Sequence, residues 1–132
     1  MNIRRFIITG FSVFIAFCVM DILVHGVMLS STYSALSNVW RPDMNSLMWM
    51  MYLASLLFSF VFAWLFSRGY KGHGIKEGLV FGFIMGIGIN IMASIGQYTM
   101  YPLPGIMCIK WFFFGTAEYI IAGIVASLTY RE

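Results

Sequence analysis

The sequence predicts an all-α integral membrane protein, a four-transmembrane-helix bundle with its N and C termini cytoplasmic. Three observations carry that expectation. Of 132 residues, 61% are hydrophobic and 10% charged, where soluble domains run about 45–50% apolar and about 25% charged. A soluble fold of this size keeps roughly a third of its chain's surface exposed, which is too much to hide such an apolar excess. The apolar residues also fall into four runs, each close to the roughly 20 residues a helix needs to cross the hydrocarbon. Finally, the basic residues divide unevenly between the two sides that four spans imply.

The predicted spans are 6–29, 47–67, 76–98 and 105–130, with residues 1–132 as a single transmembrane domain. The opening Met1-Asn2-Ile3-Arg4-Arg5 looks like the start of a signal peptide, but the apolar run behind it continues well past a signal core and is expected to persist as the first span. Residues 30–45 are polar and contain Arg41-Pro42-Asp43. Proline disfavours helix at the residue before it, so this is a loop with room for a short interfacial helix. Arg68-Gly69-Tyr70-Lys71-Gly72-His73-Gly74 is a glycine-rich basic loop, and Tyr101-Pro102-Leu103-Pro104-Gly105 is a tight turn that cannot continue a helix.

Orientation follows from charge. With both termini on one side, that side holds Arg4, Arg5, Arg68, Lys71, Lys76 and Arg131, and the other holds Arg41 and Lys110. The excess marks the first side as cytoplasmic, and the chain is expected in the cell's inner (plasma) membrane. Trp40, Trp49, Tyr98, Tyr101 and Trp111 gather near the outer boundary, Tyr70 and Tyr130 near the inner one, as interfacial aromatics do.

Helices associate in lipid through small residues and polar contacts. The third span carries the most regular such stripe: Gly78, Gly82, Gly86, Asn90, Ala93 and Gln97. Stripes in the other spans are Gly10, Phe14, Cys18, Asp21 and His25; Tyr52, Ser55, Ser59 and Ala63; and Trp111, Gly115, Glu118, Ala122 and Ala126. Cys18 and Cys108 sit inside apolar runs about 15 Å apart in depth at 1.5 Å per residue, so no disulfide is expected between them.

At that same rise, Asp21, Asn90 and Glu118 lie about 22, 20 and 18 Å from the cytoplasmic ends of their spans. Ser55 falls at a similar height. His25, Gln97 and Lys110 form an expected second layer about 28–30 Å up. Aspartate at a helix centre costs about 2.5–3.5 kcal/mol on insertion scales, so ionisable groups there stand as a functional hypothesis by default. The plainer reading is a hydrogen-bonded brace that holds the helices in register.

The expected function is a buried polar site of Asp21, His25, Glu118, Asn90 and Gln97 that binds a proton, a cation or a small polar solute, in transport or ion handling. Two carboxyls sharing a dry site do not both ionise, and His25 at i+4 from Asp21 shares its helix face, which makes a short proton relay. Asp21, His25 and Glu118 also form a nitrogen-and-carboxylate set suited to a divalent metal, although the paired Glu-x-x-His motifs of di-iron bundles are missing. Haem is not expected, because His25 and His73 lie at opposite ends of the bundle. No nucleophile elbow, metalloprotease motif or phosphate loop is present, so a non-enzymatic protein is the expectation. The scattered positive charge makes no nucleic-acid patch.

The expected partners are the lipid bilayer and either further copies of the chain or a larger membrane complex. The second reading of function is a non-enzymatic accessory subunit, in which Gly78, Gly82 and Gly86 would face a partner helix. Burial of those glycines inside the bundle would favour a self-contained protein instead.

Overall fold

Asn2 opens the first helix. Its side-chain oxygen accepts the Arg5 N–H at 3.1 Å and so caps one of the N–H groups a helix start leaves free. The computed structural model describes residues 1–131, all helical or irregular, with no strand among them. The helices are α1 (Ile3–Asp21), α2 (Ser30–Ala35), α3 (Met44–Gly69), α4 (Ile75–Met100) and α5 (Gly105–Thr129). A π-helical segment, Ile22–Met28, continues α1 without a break. Counted with that segment, four helices of 25 or 26 residues are long and apolar enough to cross a membrane. At 1.5 Å per residue each is close to 40 Å long, against about 30 Å of hydrocarbon.

The helices overrun the apolar stretches because polar residues at their ends, such as Asn45, Ser46 and Arg68, remain helical. The predicted first span holds as a span but not as one uniform helix. Ile22–Met28 near its end are π-helical, and the Leu29 N–H reaches back five residues to the Val24 carbonyl at 2.9 Å. The short helix allowed for in the first loop is α2.

Between α3 and α4, Gly72 and Gly74 adopt positive φ of 80° and 66°, which only glycine enters without strain. The Glu77 carboxylate in the first turn of α4 accepts the backbone N–H groups of Lys71 at 2.6 Å and His73 at 3.0 Å. It thereby ties the loop to the positive end of the helix.

α5 is the central helix. One side packs on α4 and the other on α1, while α3 packs mainly on α1. Against α4 the backbones nearly touch. A Cβ on Gly78 would collide with the Gly123 carbonyl oxygen, and one on Gly82 with the Tyr119 carbonyl oxygen. The glycine stripe is therefore buried inside the bundle and spent on α5.

Along the inside runs an aromatic column. Phe62 and Phe66 of α3 meet Phe81 of α4 with ring centroids 4.9 and 5.4 Å apart, so the helices with little direct backbone contact still close the bundle. Val13, Phe17, Ala122, Ala126 and Tyr130 complete this core. The two ends of the chain meet there: the Asn2 N–H donates to the Tyr130 hydroxyl at 3.2 Å, and the Thr9 and Thr129 hydroxyls lie 3.0 Å apart.

A second, smaller core lies at the opposite end. Leu103, Met107 and Cys108 pack against Tyr33, Leu36, Val39, Trp40 and Trp111. The segment between α1 and α3 thus folds over the end of α5 as a cap. Arg41 and Asp43 pair at 2.8 Å on its exposed rim. Cys18 and Cys108 are both free.

Candidate functional site

Three donors converge where α1 gives way to the π-helical segment. Asp21 ends α1, His25 lies four residues further on the same face, and the packing of α1 on α5 brings Glu118 opposite them. One ligand atom from each residue lies within 4.8 Å of the other two. Glu118 is 8% exposed, whereas the Asp21 and His25 side chains are 44% and 43% exposed. The group is buried on the α5 side and open on the α1 side.

No hydrogen bond joins these three residues. His25 Nε2 stands 4.0 Å from the nearer Asp21 oxygen, beyond hydrogen-bond reach. Glu118 Oε1 is fully buried with no partner among the described residues. Leaving a buried acceptor unpaired costs about 1–3 kcal/mol, and more when it is charged.

Apolar groups set the boundary toward the chain ends. Phe17, one turn before Asp21, packs edge-on against Tyr119 with centroids 5.3 Å apart, and Phe58 packs on the same ring at 5.7 Å. The polar group therefore sits directly above the aromatic column.

The cap sets the other boundary. The Tyr33 hydroxyl meets His25 Nδ1 and accepts the Trp111 indole N–H at 2.7 Å, while the Trp40 indole N–H donates to the Tyr33 carbonyl at 3.0 Å. The Tyr33 and His25 rings stack at 14° with centroids 5.8 Å apart. Two tryptophans thus hold one tyrosine, and the tyrosine holds the imidazole. Burial pushes the Tyr33 phenol above its ordinary range; the Trp111 N–H pulls it down, and the Glu118 and Asp21 charges add to the rise. The phenol therefore stays protonated at neutral pH.

Two residues expected in the site lie apart from it. Asn90 turns its amide back to the Gly86 carbonyl at 2.9 Å and fills the space over Gly115, so it belongs to the α4–α5 packing. Gln97 is exposed. At its end of α4 an apolar groove of about 450 Å³ is lined by Ile91, Ser94 and Tyr98 of α4 and by Cys108, Ile109 and Phe112 of α5. Lys110 is exposed as well, so the second polar layer is not Gln97 and Lys110 but the Tyr33–Trp111 pair. Ser55 only accepts, through its carbonyl, the Ser59 hydroxyl. His73 is an exposed loop residue.

Tyr33 and Trp40 are the site residues that sequence reasoning did not find, and Trp111, though on the inward stripe with Glu118, reads there as a belt residue rather than as part of the site. The tryptophans look like membrane-belt residues and the tyrosine like loop, since nothing in the local pattern shows a loop folding back over a helix end.

Comparison with known protein families, curated proteins and solved structures finds no match to this chain.

Proposed function

We propose that this chain is a small multi-pass protein of the inner (plasma) membrane, with cytoplasmic termini and a single domain, whose Asp21–His25–Glu118 group binds a proton or a small cation in ion handling or transport. The observation that carries the reading is the convergence of three ionisable side chains on one point with no hydrogen bond between them. A separation of at most 4.8 Å leaves room for a guest one atom in size, which favours a cation or proton over a polyatomic solute. The half-exposed faces of Asp21 and His25 supply access, and the buried carboxylate supplies the charge. The uneven division of Lys and Arg supports this orientation, with the cap on the outer side.

The accessory-subunit reading leaned on a glycine stripe free to receive a partner helix. That stripe is occupied by α5, which favours a protein that works with its own four helices.

The test is flux in proteoliposomes, reported by an internal pH dye for protons and by uptake of Zn²⁺, Mn²⁺ or Co²⁺. Glu118→Gln is expected to fold, to keep its melting temperature and to lose flux. Unchanged flux with a lowered melting temperature would make the group a brace and overturn the proposal.

A further inference from the structure

We infer that the occupant of this group is a divalent transition-metal ion, bound by His25 Nε2 and one carboxylate oxygen each from Asp21 and Glu118. The inference rests on the cation reading above and narrows it from cations in general to one class.

The spacing is the first argument. Atoms no more than 4.8 Å apart have a common centre no more than about 2.8 Å from each. Metal bonds to nitrogen and carboxylate oxygen are about 2.0–2.2 Å. Side-chain adjustments of at most about 0.6–0.8 Å close that difference. A proton shared directly between two of these groups would need them at hydrogen-bond distance, and His25 and Asp21 are 4.0 Å apart.

Charge is the second argument. Ionised together, as only a bound cation would allow in a dry site, the two carboxylates beside a neutral imidazole carry two negative charges, one of them almost fully buried. A single proton or alkali ion cancels half of that; one divalent ion cancels all of it. The imidazole further separates the candidates. Hard cations such as Mg²⁺ and Ca²⁺ take oxygen donors, whereas imidazole with carboxylate suits Zn²⁺ and its first-row neighbours.

The third argument is the support behind the histidine. Metal-bound histidines almost always engage their second ring nitrogen with a neighbouring polar group, which fixes ring orientation and tautomer. Here Nδ1 meets the Tyr33 hydroxyl, and that oxygen is itself held by the Trp111 N–H. With Nδ1–H donating to Tyr33, the Nε2 lone pair faces the carboxylates. The widened turn at Ile22–Met28 is a known mark of functional sites in helices. Three protein ligands with an open side leave a coordination position for water or a passing ligand, as in working rather than purely structural metal sites.

The experiment uses the untagged full chain in detergent, loaded with Co²⁺ or Zn²⁺ and freed of excess by dialysis. Metal analysis gives the stoichiometry and the Co²⁺ absorption bands report the ligand set. The expected result is about one ion per chain in wild type and in His73→Ala, and none in His25→Ala, Asp21→Asn or Glu118→Gln. Tyr33→Phe keeps all three ligands and is expected to weaken binding by roughly 10–100-fold, the usual cost of losing a histidine's outer partner. Circular dichroism of each variant shows whether it has folded. Wild type that retains no metal overturns the metal inference; if Glu118→Gln still abolishes proton flux, the cation reading stands with the proton as its occupant. Absence of both metal and flux overturns both. Metal that survives in His25→Ala but disappears in His73→Ala would place the ion in the loop and also overturn the inference.

Discussion

The two faces of α5 are built on opposite terms. Toward α4 the helix offers Gly123, Thr116 and the backbone of Tyr119, and three glycines press against them at near-contact distance. Toward α1 the same helix offers Glu118, whose buried Oε1 has no hydrogen-bond partner among the described residues. One face is closed as tightly as peptide geometry permits, and the other leaves an ionisable group unpaired in an apolar setting. In lipid there is little hydrophobic drive between helices, so close packing and polar contacts must hold the bundle. The α4–α5 seam supplies the packing and frees the α1–α5 seam to keep groups that would weaken it.

The largest effect should come from the tight face. In Gly82→Val the added carbon meets the Tyr119 carbonyl and lies 2.8 Å from Ile120 Cα, so backbone has to move. The expected loss is at least about 3 kcal/mol, the upper end of ordinary overpacking, read as a large fall in melting temperature in detergent. A variant that melts like wild type would show that the two helices are not held this closely.

The open face should respond with the opposite sign. Glu118→Leu replaces an unpartnered carboxyl with an apolar group of similar size. It is expected to stabilise the apoprotein by about 1–3 kcal/mol while abolishing ion binding. Destabilisation by Leu would mean that Glu118 has bonding partners and that the contrast between the faces is false.

The cap should give a smaller effect. Trp111→Phe removes one hydrogen bond to Tyr33, at a cost of about 0.5–1.5 kcal/mol, and is expected to weaken ion binding without unfolding the bundle. Equal binding in wild type and variant would detach the cap from the site. The smallest effect belongs to Gly96→Ala. Beyond its own helix backbone and chain neighbours, no atom of the described residues lies within 4 Å of the added carbon, and alanine favours helix over glycine by about 0.8–1.0 kcal/mol. Neutrality or slight stabilisation here, beside collapse at Gly82, would show that contact rather than residue type sets the cost.

What the sequence disclosed follows the same division. The four long helices were legible because twenty apolar residues in a row have few other fates. The Gly78–Gly82–Gly86 spacing was legible because only backbone-to-backbone contact asks for glycine at every fourth position. Asp21 and Glu118 stood out as charges in apolar runs, and arithmetic along each helix put them at one height. Height, however, does not decide which way a residue faces or whether its neighbour is still there to meet it. Gln97 continues the glycine stripe in periodicity, yet its side chain is exposed and an apolar groove lies between α4 and α5 at that end. Asn90 was better used to fill the space over Gly115 than to reach the acids. The π-helical turn was hidden because its side-chain spacing is too close to that of an α-helix to show in seven residues. Tyr33 was hidden because its partner, Trp111, lies far along the chain.

The candidate site takes its donors from α1 and α5, at opposite ends of the fold's chain order. During synthesis Asp21 and His25 therefore leave the ribosome while the helix that carries Glu118 has not yet been made. Until α5 arrives, the first hairpin holds an aspartate and a histidine without their counterpart, and Tyr33 without the indole that steadies it. The site is complete only once α5 has packed on α1, so the ability to bind an ion would report that these two helices have come together.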